Sequence, residues 1–278
     1  MPLIVGLDIG GSTTKIVAVE KGAISAAHLV RADDPVTSAY GALGRFLNRF
    51  DGMTPEIARI MLTGVGQGVI ADEILNIPAC PVDEMEAIGR GGLALADRER
   101  AVVVSMGTGT AVVWAEQTSP TSTAVKRLFG SGVGGGTLLG LSRSLLGTRD
   151  FLRLEELAAA GNLHEVDLTV GDIAGRAIAG LASDITASNF GRVHDACRPE
   201  DLAIGILNLV FQTIGSCGAL AARQQGCPDC VFTGNLSQSL IGRGILATVC
   251  QLYGVNCLIP ERAAYATAYG AALTPPAG

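Results

Sequence analysis

Charged side chains are scarce in this chain of 278 residues: they make up 17% of it, and no run of Lys or Arg is present. The 20 basic and 26 acidic residues give a formal net charge of −6. Nucleic acid and anionic membrane surfaces are therefore not expected as partners. An anionic small molecule would have to be held by a few placed cations and by backbone N–H groups.

A secretion signal is also lacking. Residues 1–8 contain no basic segment and no cleavage site, so they do not form a signal peptide. The most apolar stretch, residues 203–222, carries Asn208 and Gln212 and repeats its large apolar residues at helical spacing. This pattern predicts a buried helix rather than a membrane span. We therefore expect a cytoplasmic protein that is not inserted in a membrane.

Metal-binding patterns are missing as well. The three His residues show no metal-like spacing, so we interpret them as structural or surface groups. Cys227 and Cys230 form a single CxxC without the second pair that a structural zinc site needs. The chain has seven Cys, and an odd count without a signal peptide indicates reduced thiols. We expect Cys227 and Cys230 to be ordinary thiols that precede a buried strand.

The sequence contains no P-loop of the form GxxxxGK[ST], and no GxGxxG opens a helix after the first apolar run. Glycine is nevertheless plentiful, at 37 residues, and much of it stands in short clusters after apolar runs. The chain is 48% hydrophobic with a mean hydropathy of +0.40, which is typical of a globular protein. The glycine clusters therefore favour backbone-lined anion sites over flexible linkers.

Two hairpins of one unusual kind are predicted in the two halves of the chain. The first joins an apolar strand ending at Asp8 to a strand beginning at Lys15, through a turn of Gly, Ser and Thr. The second joins strands at 101–104 and 111–114 through the turn 105–110, Ser-Met-Gly-Thr-Gly-Thr. The repetition indicates two related lobes that face each other, and we divide them into residues 1–97 and 98–278.

Other elements follow from local patterns. Helices are predicted at about 35–50 and 83–97, with a strand at 59–63 between them. Near the end of the chain, a strand at 230–233 precedes a helix from about residue 237 and a closely packed helix at 264–273.

The first hairpin has a clear chemical use. Gly10 and Gly11 let the backbone approach a phosphate, while Ser12 and Thr13 add hydroxyl donors. Asp8 can hold Mg²⁺ through water. Lys15 can neutralise charge on a transferred phosphoryl group. A plain hairpin with a glycine turn is the alternative, but the second donor-rich tip favours a grip on a triphosphate.

A glycine-rich run at residues 130–137 leads into a helical pattern. Such a run would present free N–H groups at the positive end of a helix, although tight helix packing is an alternative. The strand at 230–233 ends at Gly234-Asn235, which by itself is simply a turn.

Three acids stand together before the helix at 83–97. The spacing of Asp83 and Glu86 is that of an N-cap and N3 pair that satisfy each other's N–H groups. Glu84 then occupies the first helical position as the free carboxylate, where the helix N-terminus favours its charged form. A solvated first-turn acid is the alternative interpretation of Glu84.

These motifs resemble the phosphate-1, phosphate-2 and adenosine motifs of the sugar kinase/actin superfamily. They are Asp8-x-Gly10-Gly11-Ser12-x-x-Lys15, Gly107-Thr108-Gly109-Thr110 and the strand ending at Gly234. The run Lys126-Arg127-Leu128-Phe129-Gly130 before the glycine loop, and Thr186-Ala187-Ser188-Asn189-Phe190-Gly191, narrow the resemblance to type II pantothenate kinases. The chain departs from the pattern at Asn235, where many superfamily members have glycine, and at Glu86, where some relatives have Asp.

The resemblance implies a fold and an activity. The fold is an α/β, two-lobed actin-like (ribonuclease H-like) ATPase fold with the nucleotide in the interlobe cleft. The activity is the phosphorylation of pantothenate to 4′-phosphopantothenate by ATP and Mg²⁺, the first step of coenzyme A synthesis, in a homodimer.

The resemblance also assigns site residues. Glu84 matches the general base, Arg127 the arginine of the pantothenate site, and Ser105 is assigned to the same site. Thr186 and Ala187 match residues that the other subunit contributes to it. The positions that match nucleotide contacts are Asp8, Gly10, Gly11, Ser12, Thr13, Thr14, Lys15, Thr108, Gly135, Gly136, Thr137, Leu138, Leu139, Phe151 and Asn235.

Three other functions compete with this one. A kinase of the same frame acting on a sugar or an acetylated amino sugar would usually carry a catalytic Asp after an Asn, and none is found. An ATPase activator of a radical dehydratase would need cysteines for an iron–sulfur cluster; Cys217 is the nearest by position, but no pair supports it. A non-catalytic sensor of coenzyme A or nucleotide would not need both Glu84 and Lys15.

Overall fold

A computed structural model describes residues 3–31, 34–48, 56–70, 72–119, 121–177 and 182–275. In this part of the chain the fold is α/β, with two main sheets and a short two-stranded ribbon. The strands of the first sheet are β1 (Leu3–Ile9), β2 (Thr13–Glu20), β3 (Ala23–Arg31), β4 (Ile57–Thr63), β5 (Glu73–Ile74) and β6 (Ile77–Pro81). The later strands are β7 (Arg100–Met106), β8 (Thr110–Ser119), β9 (Ser122–Ser131), β10 (Leu168–Thr169), β11 (Thr186–Ser188), β12 (Asp229–Thr233) and β13 (Asn256–Leu258).

The helices lie between and around these sheets. They are α1 (Pro35–Leu47), α2 (Glu84–Ala96), α3 (Gly135–Leu146), α4 (Phe151–Ala159), α5 (Val170–Ala174), α6 (Pro199–Gln224), α7 (Leu240–Tyr253) and α8 (Ala266–Leu273). The helix predicted at 35–50 is therefore found as α1; residues 49 and 50 lie outside the described residues.

The two main sheets repeat one plan. In the first, the spatial order is β3-β2-β1-β4-β6-β5, and β1 pairs antiparallel with β2 and parallel with β4. In the second, the order is β13-β12-β7-β8-β9, and β7 pairs antiparallel with β8 and parallel with β12. Each sheet thus has a central strand that opens a hairpin, as the repeated sequence pattern predicts.

Helices α2 and α8 cross between the two sheets. A Cβ atom on Gly91 of α2 would lie 1.9 Å from the Ala266 carbonyl oxygen, and one on Gly270 of α8 would lie 1.9 Å from that of Ala87. A Cβ atom cannot be accommodated at such short distances. Glycine at both positions therefore lets the two helix backbones come into contact. The close packing predicted for the helix at 264–273 is therefore found.

Each crossing helix contributes to a different core. The α2 residues Ile88 and Leu93 join the apolar cluster of the second sheet. The α8 residues Ala268 and Tyr269 pack against Val17 of β2 in the first sheet. The last helix of the chain thus contacts the sheet formed by the first 81 residues, and the proposed division into residues 1–97 and 98–278 remains a prediction.

Helix α6 forms the centre of the core beside the second sheet. By length and composition it is the one helix of the described ranges that could cross a membrane. Its residues Leu207, Phe211 and Ile214 are buried, and they belong to the cluster that includes Val104 of β7 and Leu246 of α7. The apolar stretch at 203–222 is thus a core helix, as predicted.

Candidate active site

The tips of the two predicted hairpins meet. The Oγ atom of Ser12 lies 3.1 Å from Oγ1 of Thr108, although the two residues are 96 positions apart in the chain. Each tip is closed by its own backbone, through Gly10 N–H to the Thr13 carbonyl at 3.1 Å and Gly107 N–H to the Gly109 carbonyl at 2.9 Å. Two turns that carry hydroxyl groups therefore face each other across one crevice.

The base of the first hairpin holds a nearly buried ion pair. Lys15 Nζ lies 3.1 Å from Asp8 Oδ2, and their side chains are 9% and 8% exposed. The pair forms because Asp8 and Lys15 are direct neighbours across the β1–β2 ladder. Thr63, at the end of β4, is the partner of Asp8 on the other side. A buried ion pair is expensive to break, so it holds both charges at the crevice.

Glu84 opens α2 as predicted. Its neighbour Asp83 is the N-cap, and the Asp83 carboxylate accepts the Glu86 N–H at 2.9 Å. The reciprocal half of the expected capping pair is wrong, because Glu86 Oε1 instead accepts from Arg90 one turn later, at 3.1 Å. Glu84 remains half-buried at the first helical position.

The surroundings of Glu84 oppose its charge. Burial raises the pKa of Glu84 above its ordinary value, and the negative charges of Asp8 and Asp83 raise it further, while Lys15 lowers it. The expectation that the helix N-terminus would favour the charged form is therefore wrong in its net effect. The charges of Asp8 and Lys15 in the first hairpin thus both act on Glu84.

The glycine-rich run at 130–137 supports the second hairpin. The N–H groups of Gly135 and Gly136, at the start of α3, donate to the carbonyls of Gly107 at 2.9 Å and Thr108 at 2.8 Å. The Thr137 hydroxyl donates to the Gly132 carbonyl at 2.8 Å. The prediction that these amides are free is thus wrong for the first two residues of the helix, since the hairpin tip itself occupies them.

The apolar residues matched to nucleotide contacts differ in exposure. The Leu138 side chain is buried in the core, so only its backbone can reach a ligand. Leu139 and Phe151 are partly buried and pack against the same core.

The turn after β12 lies beside the second hairpin. Thr233 pairs with Ser105 across β12 and β7, which brings Gly234 and Asn235 to the strand end where the hairpin turn begins. Leu236, the next residue, lies 3.7 Å from the position of a Cβ atom on Gly135. Asn235 begins a short 3₁₀ turn and accepts a hydrogen bond from the Gln238 side chain at 2.7 Å.

The residues assigned to the acceptor site fall in two places. Ser105 lies at the end of β7, and Arg127 is exposed on β9, with its guanidinium beside Gly130. Thr186 and Ala187 lie on β11, and the Thr186 hydroxyl donates to Asp167 at 3.2 Å. Among the described contacts of this chain, none joins Thr186 or Ala187 to the hairpins.

Two residues with structural roles in these places were not predicted. Asp167 is 1% exposed and accepts hydrogen bonds from the segment that contains Thr186. The Gln67 side-chain amide, when its nitrogen is assigned to the side facing the backbone, can donate to the Leu62 carbonyl at 3.0 Å and the Val82 carbonyl at 3.2 Å, just before α2. A lone Asp between apolar residues and a lone Gln after glycine carry no signal of such contacts in a sequence.

Comparison with known families decides the relationship. The family model described as Fumble matches residues 100–273, more than half of the chain. The chain belongs to the Fumble family. This is the family of type II pantothenate kinases. The chain is also 28% identical to the type II pantothenate kinase of Staphylococcus aureus strains USA300 and NCTC 8325, over 96% of its own length and 97% of theirs.

Solved structures support the fold of this chain. It is similar to the activator of the 2-hydroxyisocaproyl-CoA dehydratase from Clostridium difficile with bound ADPNP, with a TM-score of 0.69 and 16% identity over 98% of this chain and 93% of that one. It is also similar to a ROK family glucokinase from Streptomyces griseus in complex with glucose and AMPPNP, with a TM-score of 0.60 and 13% identity over 97% and 98% of the two chains. The predicted two-lobed, actin-like ATPase fold is confirmed.

Together with the comparisons, the geometry of the two turns is consistent with a kinase. Two facing turns rich in hydroxyl and amide groups suit a row of phosphates. Lys15 is buried at the base of the first turn, and its charge acts on the half-buried carboxylate of Glu84. The relatives named as kinases support an ATP-dependent kinase as the general activity.

Proposed function

We propose that this chain transfers the γ-phosphoryl group of ATP to the terminal hydroxyl of pantothenate, which gives 4′-phosphopantothenate and begins coenzyme A synthesis. The single observation that carries the proposal is the contact between Ser12 and Thr108, since it brings two donor-rich turns to one crevice. Membership of the Fumble family supports pantothenate as the acceptor.

The residues of the crevice fit ATP and Mg²⁺. The Lys15 ammonium group donates a hydrogen bond to Oδ2 of Asp8. The other carboxylate oxygen, Oδ1, would hold Mg²⁺ through water. The Oγ1 atom of Thr63, the ladder neighbour of Asp8, is buried and has no partner among the described residues, so a polar group beside Asp8 is unused. When bound, Mg²⁺ would neutralise charge on the phosphates. Structural relatives bind ATP analogues, which is consistent with this assignment.

Glu84 takes the role of general base. Transfer of a phosphoryl group passes through a loose transition state, so orientation of the hydroxyl matters more than strong basicity. Burial raises the pKa of Glu84, and a more basic carboxylate is better matched to accept the proton of the hydroxyl. Lys15, held by Asp8, supplies positive charge toward the transferred group.

The acceptor site would draw on two subunits. The exposed guanidinium of Arg127 suits the carboxylate of pantothenate, because its planar fork can donate two parallel hydrogen bonds. Ser105 of β7 aligns with Gly130 through Ala111 of β8, and the Arg127 guanidinium lies beside Gly130. We assign Thr186 and Ala187 to the acceptor site of a second copy, so that the active form is a homodimer in the cytoplasm.

A coupled assay of ADP release tests the proposal. Purified protein is given Mg-ATP with pantothenate, or with a panel of sugars and acetylated amino sugars. Among these acceptors, we expect turnover only with pantothenate. Turnover with a sugar and none with pantothenate would replace this function by that of a sugar kinase on the same fold.

An ATPase activator of a radical dehydratase is the second candidate. The activator of the 2-hydroxyisocaproyl-CoA dehydratase and component A of the (R)-2-hydroxyglutaryl-CoA dehydratase both share the fold, at TM-scores of 0.69. That function requires an iron–sulfur cluster held by cysteines. Cys217 is half-buried on α6, and burial raises the pKa of its thiol, which disfavours the thiolate that a cluster needs. Protein purified without oxygen that is colourless and free of iron would eliminate this candidate.

A further inference from the structure

Asp167 is a buried carboxylate surrounded by neutral donors. Its side chain accepts from the Phe190 N–H at 2.8 Å and from the Asn208 amide at 2.8 Å. The Thr186 hydroxyl and the Asn189 amide donate to it at 3.2 Å each. Asp167 itself is 1% exposed, so hydrogen bonds replace the water that its carboxylate loses on folding.

These bonds join one irregular segment to the core. Thr186, Asn189 and Phe190 belong to a stretch that has only three residues of strand, whereas Asn208 lies on the buried helix α6. Asn208 also donates to the Thr186 hydroxyl at 3.2 Å, and Asn189 donates to Gln212 of α6 at 3.0 Å. Asp167 is therefore the acceptor on which most of the bonds between segment 186–190 and α6 converge.

The segment has a shape that needs such an attachment. Phe190 has a φ angle of +58°, in the left-handed region that bulky residues avoid. Its N–H is the group bound to Asp167, and its ring lies over Gly205 of α6. Ala187, between these anchored residues, is exposed. The network thus presents Ala187 outward on a segment whose backbone is held from below.

We propose that Asp167 is a positioning residue, which holds Thr186 and Ala187 in the shape that completes the acceptor site of a second copy of the chain. The inference rests on the proposed function, which assigns these two residues to the partner's pantothenate site. Asp167 itself does not touch the substrate. Its loss should therefore weaken pantothenate binding and leave the nucleotide crevice of Ser12 and Thr108 intact.

Steady-state kinetics of Asp167→Asn provide the first test. The substitution keeps the shape of the side chain but turns an amide nitrogen toward donors, so the network cannot be satisfied as before. We expect the KM for pantothenate to rise about tenfold or more, with the KM for ATP unchanged. If Asp167→Asn folds poorly, Asn208→Ala replaces it as the test. This variant removes one donor from α6 and should raise the KM for pantothenate by a smaller factor. Asp195→Asn, at an exposed site nearby, is the matched control.

Mixed dimers provide the second test. Differently tagged Glu84→Gln and Asp167→Asn subunits are coexpressed, and the dimer carrying both tags is isolated. One of its two sites would then combine an intact Glu84 with an intact segment from the other subunit. We expect this dimer to recover roughly half of the wild-type turnover at low pantothenate, because a symmetric dimer has two equivalent sites.

The outcomes separate the inference from the function on which it rests. Wild-type protein that phosphorylates pantothenate, with an unchanged pantothenate KM in Asp167→Asn, would overturn the role of Asp167 alone. A fully active monomer, or a mixed dimer with no recovery, would overturn the contribution to a second copy. Wild-type protein without activity toward pantothenate would remove the proposed function itself.

Discussion

At the scale of single residues, Glu84 is held where its own charge is disfavoured. Burial is the largest cause that raises the pKa of Glu84, and the negative charges of Asp8 and Asp83 raise it further. The positive charge of Lys15 lowers it. A surface acid that only caps a helix would be solvated and would not face a buried ion pair. The environment of Glu84 supports the proposal that it acts as the general base.

Replacing Glu84 tests that role directly. Glu84→Gln keeps the size of the side chain but cannot accept a proton, so turnover should fall by about 10²–10⁴-fold. Binding of Mg-ATP, measured by calorimetry, should remain close to that of the wild type because the hairpin tips are unchanged. Glu86→Gln, on the same helix and paired with Arg90, is the matched control and should have little effect. Wild-type turnover in Glu84→Gln would show that the base lies elsewhere.

The pH dependence of turnover follows from the same environment. The base must be ionised, so kcat/KM falls as pH drops through the pKa of Glu84, and this fall should lie above the ordinary value of 4.5. Asp83→Asn removes a negative charge that raises the pKa of Glu84, so the acidic limb should move to lower pH. Asn is as good an N-cap as Asp, so α2 should keep its start. An acidic limb that does not move would separate Glu84 from the titration.

Arg127 can be examined in the same way at the acceptor. Arg127→Ala removes the guanidinium that we assign to the pantothenate carboxylate. Hydrogen bonds to a charged group contribute about 1.5–3 kcal/mol, so the KM for pantothenate should rise roughly 10- to 100-fold. The KM for ATP should not change. An unaltered pantothenate KM would remove Arg127 from the acceptor site.

At the scale of elements, the sequence predicted the hairpins and helix starts that depend on neighbouring residues, but not the hydrogen bonds between distant parts of the chain. The hairpin at Asp8–Lys15 and the start of α2 depend on glycine, strand periodicity and a capping Asp within a few residues. The bonds of the Gly135 and Gly136 amides could not be predicted, since their acceptors lie 28 residues earlier, at Gly107 and Thr108. The network of Asp167 joins residues as far as Asn208, 41 positions away, for the same reason.

The crossing of α2 and α8 makes a prediction at this scale. Gly91→Ala would place a methyl group 1.9 Å from the Ala266 carbonyl, so the helices must separate. We expect the free energy of unfolding, measured in denaturant, to fall by about 1–3 kcal/mol. Gly244→Ala, in the middle of α7 with nothing within 4 Å of the new atom, should instead be neutral or stabilising by up to about 1 kcal/mol. Equal effects at the two positions would contradict the close crossing.

At the scale of the whole molecule, the repeated plan of the two sheets explains why the site forms where it does. In each sheet the central strand runs into a hairpin whose turn lies at the carboxyl end of that strand. The crossing of α2 and α8 connects the two sheets, since α2 packs on the second and α8 on the first. Two equivalent turns are thereby brought face to face, which neither half of the chain could achieve alone.

The contact between the two tips gives the final prediction. Ser12→Cys combined with Thr108→Cys should form a disulfide under mild oxidation, because the two hydroxyl oxygens are already 3.1 Å apart. The disulfide would hold the crevice closed, so the oxidised double variant should show no turnover with Mg-ATP. Treatment with a thiol reductant should return its activity to the level measured before oxidation. Each single substitution, oxidised in parallel, controls for the seven native thiols. We expect peptide mapping to find positions 12 and 108 linked by a disulfide. If the two positions remain unlinked after complete oxidation, the tips do not face each other in solution, and the proposed binding of the triphosphate between them is overturned.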